Sequence, residues 1–181
     1  ARTARLTDEP RYLRAAQQAA SHVLSHRGPQ GQLPRILADN SPLGVLEDYA
    51  FMGNGLLDLY EADHDPRWLL AADSITGVML QRFLDPATGT LYQADSAVQL
   101  LSRKSDATDG SEPSGVGRAL QLLCRLRSLG APSAPAETID SILLRNASLL
   151  TRAPRAAVSL ADAADRMSRR STELVIATER I

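Results

Sequence analysis

Asp8-Glu9-Pro10-Arg11-Tyr12-Leu13-Arg14-Ala15-Ala16 returns further along the chain as His64-Asp65-Pro66-Arg67-Trp68-Leu69-Leu70-Ala71-Ala72. The two stretches place a proline, an arginine, an aromatic residue, a leucine and paired alanines in the same order. At the same spacing Val23-Leu24 falls on Met79-Leu80, and a looser echo, two residues out of step, sets Gly31-Gln32-Leu33 against Gly89-Thr90-Leu91. The period is about 56 residues, longer than that of the usual solenoid repeats. One period holds a helix, a loop turning on Gly-x-Leu, and a second helix. Such a two-helix unit cannot bury its own apolar face and must stack on its neighbours. The expected fold class is therefore all-α, with helical hairpins arranged in part of a ring.

The hydrophobic spacing works outward from the repeat. Tyr12/Leu13, Ala16, Ala19/Ala20 and Val23/Leu24 follow the three-four rhythm of an amphipathic helix, with Asp8 as its expected N-cap and Pro10 in its first turn. A Gly/Pro/Asn/Ser-rich loop runs from about Gly28 to Gly44. Further helices are expected from Glu47 through Tyr60, from Pro66 through Phe83, after Ser114, from Glu137 to Leu150 and from Arg155 to Arg169. The helices after Glu47 and Ser114 are the more apolar and are expected to be the inner ones. Short β segments are expected at Thr90–Gln93, at Val98–Leu101 and in the C-terminal run Glu173–Thr178. Ala1-Arg2-Thr3-Ala4-Arg5-Leu6 has the look of the last turns of a helix. A closed ring needs more hairpins than are visible, so residues 1–181 are expected to be one partial toroid domain, the C-terminal fragment of a longer chain, and the missing N-terminal part of that polypeptide is an expected partner.

Composition narrows the class. The chain has 181 residues, 44% of them hydrophobic and 23% charged, and a net charge of -1. That balance offers no electrostatic footprint for nucleic acid or an anionic membrane. No run of about 18 apolar residues is present, and the N-terminus lacks a signal-peptide core, which leads to the expectation of a cytoplasmic protein. A single cysteine, Cys124, excludes an internal disulfide and reads as a small buried apolar residue. His22 and His26 stand four apart, yet no acidic residue completes a His-Glu-x-x-His pattern, so no metal is expected. Nor is any cofactor. The arginines around Arg166 read as the solvated end of a helix.

Two helix entrances carry the polar chemistry. Leu46-Glu47-Asp48-Tyr49-Ala50 opens one inner helix; Arg103-Lys104-Ser105-Asp106, Asp109-Gly110 and Pro113-Ser114-Gly115 precede the other. Glu47 and Asp48 read either as capping acids at the positive end of a helix dipole or as carboxylates facing a pocket. Two-carboxylate sugar chemistry needs acids about 5–5.5 Å apart for retention or about 6.5–9.5 Å for inversion, and Asp48 with Asp109 is the pair to test. Tyr49 would wall the pocket by stacking or hydrogen bonding. Arg103 would clamp an anionic group or pair with Asp106. Ser114 reads as a substrate contact or as the cap of its helix, and no neighbouring histidine makes it a nucleophile. Tyr12 and Trp68, equivalent in the repeat, read as packing residues.

The repeat, the Leu-Glu-Asp-Tyr-Ala entrance and the Asp-Gly…Pro-Ser-Gly loop together resemble the C-terminal region of the YyaL-like, spermatogenesis-associated thioredoxin-domain protein family. The resemblance implies a six-hairpin, glycosidase-like (α/α)6 toroid behind an N-terminal thioredoxin-like domain, with the pocket at the entrances of the inner helices. It implies a carbohydrate or small polar ligand, but it names no reaction. The chain departs from the family pattern at Ser105 where a lysine is usual, at Thr108 where an aromatic is usual, and at Val116-Gly117 after Pro-Ser-Gly. No complete catalytic constellation remains. The expected function is part of a toroid with a sugar-type pocket; the alternative is a non-catalytic structural or interaction module with a degenerate pocket.

Overall fold

A computed structural model describes residues 1–39 and 41–169. The run expected as a C-terminal strand, 173–178, lies outside the described residues. The helices are α1 (Arg2–Thr7), α2 (Pro10–Ser25), α3 (Leu46–Asp63), α4 (Pro66–Phe83), α5 (Gly115–Ser128), α6 (Ala136–Arg152) and α7 (Val158–Ser168), with a 3₁₀ turn at Pro154–Ala156 before α7. The fold class is all-α. Its small sheet pairs β1 (Leu84–Asp85) with β2 (Thr90–Leu91), antiparallel, with Leu84 opposite Leu91. Val98–Leu101, expected as a strand, is bend and coil, with all four residues exposed. Exposed leucines at both 100 and 101 leave no alternation of buried and exposed positions to seat a strand.

The helices alternate between two layers. Odd-numbered helices pack in chain order, α1 on α3, α3 on α5 and α5 on α7; α2 and α4 cover α3, and α6 covers α5 and α7. The corners between layers explain the repeat. Asp8 and His64 are both left-handed residues, with φ of 53° and 57°, that end α1 and α3. One residue then separates each from a proline at the first position of the next helix. Proline suits that place because the first-turn N–H has no helical partner. The expectation that Asp8 caps α2 is thus corrected: Asp8 terminates α1, and Glu9 holds the N-cap position. The Gly-x-Leu echo is equally physical. Gly31 and Gly89 adopt φ of 79° and 67°, and the leucine two residues later is buried in each case.

Asp63 braces the second corner. Its carboxylate accepts hydrogen bonds from Gln17 Nε2 at 2.8 Å, Trp68 Nε1 at 3.0 Å and the Asp65 N–H at 3.0 Å. Trp68 is buried, with Arg67 stacked 4.1 Å from its ring centre, and is a packing residue as expected. Its repeat mate Tyr12 is 38% exposed. Cys124 is buried on α5, and burial pushes its thiol up to about 11, the inert behaviour expected of it.

Glycines let the inner helices approach. A Cβ on Gly53 of α3 would run into a Leu122 methyl of α5, and one on Gly117 of α5 would run into Ser159 Oγ of α7. A Cβ on Gly55, by contrast, meets nothing within 4 Å. Gly117→Ala should therefore destabilise the chain by ~1–3 kcal/mol through overpacking. Gly55→Ala should stabilise it by ~0.5–1 kcal/mol through helix propensity. Urea unfolding of the two variants checks both signs.

Candidate functional site

Helices α3, α5 and α7 begin at the same end of the molecule. Glu47, in the first turn of α3, lies against the first residue of α5: a Cβ on Gly115 would sit 3.0 Å from the Glu47 carboxyl group. Gln93 Nε2 donates to Glu47 Oε1 at 3.3 Å. At the start of α7, Ser159 reaches the cap of α5, its hydroxyl 3.3 Å from that of Ser114. Ser114 accepts the Gly117 N–H at 3.1 Å, so it caps α5.

The acids at these entrances hold backbone. Asp48 accepts the Val45 N–H at 2.8 Å, an arrangement that closes the first turn of α3, and pairs with Arg35 at 2.8 Å. Asp109 accepts the N–H groups of Ser114 and Ser159, each at 2.8 Å, and the Ser159 hydroxyl. It thereby joins the starts of α5 and α7, where a negative charge meets the positive ends of two helix dipoles. Burial opposes its ionisation, but these hydrogen bonds outweigh burial and hold its carboxyl below the usual range. Among the described residues Asp48 and Asp109 share no hydrogen-bonding partner.

Tyr49 is fully buried; its hydroxyl accepts the Leu33 N–H at 3.0 Å and its ring meets Phe83 edge-on at 5.2 Å. Arg103 donates to the carbonyls of Ala94 (2.7 Å) and Arg82 (3.2 Å) and stacks on Tyr92 at 4.2 Å. The ion pair weighed for Arg103 with Asp106 is instead made by Lys104, at 3.1 Å. Arg103 is drawn inward because the loop across the entrance exposes buried carbonyls that need donors.

A second feature escaped the sequence reading. A cleft of about 580 Å³ opens on the face shared by α1, α3, α5 and α7. It is lined by Arg2, Arg5 and Leu6 of α1, Asn54, Asp58 and Glu61 of α3, Arg118, Gln121 and Arg125 of α5, and Asp162 and Arg166 of α7. None of Glu47, Asp48, Tyr49, Arg103, Asp109 or Ser114 lines it. Arg125 is its organiser, donating to Asp58 at 2.8 Å, to Glu61 at 2.7 Å and to the carbonyl and side-chain oxygens of Asn54 at 3.1 Å. Arg2 and Arg5 approach the same two acids, Asp58 and Glu61, at 2.6 and 2.7 Å. Gln121 donates to Asp162 at 2.9 Å, which also pairs with Arg166. Arg166 stands in the exposed last turn of α7, the solvated helix end expected of it, and lines the rim of the cleft. The signal was the spacing of Asn54, Asp58 and Glu61, and of Arg118, Gln121 and Arg125: polar stripes at helical period on helices read as apolar. His22, in the last turn of α2, and His26, at its C-cap, are exposed and meet edge-on at 4.6 Å, and no metal-binding cluster occurs among the described residues.

The depressed Asp109 pKa gives a signed prediction. Its stabilisation is complete above the unfolded value of about 4 and disappears as pH falls through the lower folded value. Asp109→Asn should lower stability at pH 7 by ~1.5–3 kcal/mol, the scale of hydrogen bonds to a charged group. It should also flatten the loss of stability on acidification, followed by circular dichroism melts from pH 7 downward.

No protein-family model matches the chain. It is similar to spermatogenesis-associated protein 20 of Mus musculus, 40% identical over 87 residues, and of Rattus norvegicus, 39% identical over 88 residues. The protein of the same name in Homo sapiens is 36% identical over 104 residues. These matches cover 47%, 48% and 56% of this chain and 11%, 11% and 13% of the relatives. About half of this chain is therefore homologous to spermatogenesis-associated protein 20, and the match spans only a small part of those much longer proteins.

Proposed function

We propose that this chain is one arc of an α/α toroid in a member of the spermatogenesis-associated protein 20 family, and that its concave cleft takes a carbohydrate or small polar ligand. The observation that carries this reading is the convergence of polar stripes from four successive inner helices on one cleft of about 580 Å³. Ligand pockets run to about 300–1,000 Å³ and are usually built where several elements meet. Asn54, Gln121, Asp58 and Arg125 present the amide, acid and guanidinium groups that sugar hydroxyls pair with. The alternation of layers and the repeated corners support the ring geometry.

A second reading, a structural or interaction module without catalysis, is supported by the helix entrances. Asp48 and Asp109, the pair suited to two-carboxylate chemistry, each hold backbone N–H groups, and Tyr49 is enclosed. On this reading Asp48→Ala and Asp109→Asn change stability alone.

A thermal-shift panel of monosaccharides separates the two. The cleft reading expects at least one sugar to raise the melting temperature, and Gln121→Ala to weaken that effect about tenfold, the worth of one or two hydrogen bonds. Arg67→Gln, on α4 and outside the cleft, should leave it unchanged. No shift with any sugar leaves the module reading in possession.

A further inference from the structure

We propose that the ligand of this cleft carries an oxyanion, a phosphate or carboxylate group, and that Arg118 is the residue that holds it; this rests on the cleft being a ligand site. The cleft is lined by five arginines and three carboxylates. All three acids are already engaged: Asp58 by Arg2 and Arg125, Glu61 by Arg5 and Arg125, and Asp162 by Arg166. Arg118 is left over. Its Nη1 donates to Gln121 Oε1 at 2.6 Å, and its Nε is buried without a hydrogen-bond partner. Among the described residues no carboxylate forms an ion pair with it. Its guanidinium lies 5.3 Å from the centre of the Phe51 ring, which holds it in place.

A half-buried guanidinium without a counter-charge is costly to keep, and arginine cannot discharge the cost by losing its proton. Burial, and then the neighbouring Arg2, press its pKa down, and the more distant pull of Asp58 and Asp162, both held by other arginines, does not offset them. Its planar fork matches the oxygens of a carboxylate or phosphate. Arg2 adds positive potential on the same wall. The chain as a whole is slightly acidic, with net charge -1, so this positive surplus is local to the cleft.

Calorimetric titration of the full chain at low ionic strength, with glucose, glucose 6-phosphate, glucuronate and inorganic phosphate, tests the inference. Glucose 6-phosphate or glucuronate should bind about tenfold or more tighter than glucose, as charge-assisted hydrogen bonds imply. Arg118→Gln should erase that difference, so that glucose and its charged relatives bind it alike. Should Arg118→Gln fail to fold, Arg118→Lys, which keeps the charge but loses the fork, should show a smaller preference for the charged sugars. Equal binding of glucose and its charged relatives, or an unchanged preference in both variants, overturns the oxyanion inference and leaves a neutral-ligand cleft. Inorganic phosphate binding as tightly as glucose 6-phosphate, and lost in Arg118→Gln, supports the role of Arg118 and overturns the carbohydrate reading. If none of the four binds, the cleft reading falls and this inference with it.

Discussion

Arg125 is the side chain on which the concave face depends. From the last turn of α5 it reaches the carbonyl of Asn54 and the acids Asp58 and Glu61 on α3, and those acids in turn engage α1. Its side chain is only 13% exposed, and that of Asp58 is 15% exposed. A charge so withdrawn from water stands only if its donors are satisfied, and removing one partner of such a pair costs ~3–5 kcal/mol. The network therefore fixes the register of three inner helices and at the same time sets the polarity of the surface they share. Packing holds the helices close, through Gly53 and Gly117; Arg125 ties the cleft side of α5 to that of α3.

The corners between layers were legible because local chemistry produces them. Proline at a first helical turn and a leucine two residues after a left-handed glycine leave marks that survive sequence divergence, and they return at Pro10 and Pro66 and at Gly31 and Gly89. Helix boundaries followed within a few residues. Asp8 was misplaced because an acid before a helix and an acid ending the previous one look alike in sequence; only the short connection between α1 and α2 makes it the latter. At Val98–Leu101 a β-like composition met a loop anchored from outside, with Arg103 gathering the carbonyls of Ala94 and Arg82.

The cleft was hidden for a different reason. Its residues lie on four helices, and on α3 and α5 they fall among buried leucines that mark the helix as core. Asn54, Asp58 and Glu61 are spaced by Leu56, Leu57 and Leu59, all buried. The acids nearest the helix starts attracted attention because helix entrances favour them, and the same electrostatics occupies them: Asp48 closes the first turn of α3, and Asp109 ties α5 to α7. The entrances fix where α3, α5 and α7 begin, and the cleft lies apart from them, on the face those helices share with α1.

A double-mutant cycle between Arg125 and Asp58 tests that arrangement most directly. Arg125→Met, Asp58→Asn and the double variant would be compared with the parent chain by urea unfolding. If the buried pair organises the concave face, the coupling energy is ~1 kcal/mol or more, as for contacting charges within one network. Additive effects, with a coupling near zero, would contradict it and reduce Arg125 to a bystander on a face held by packing alone.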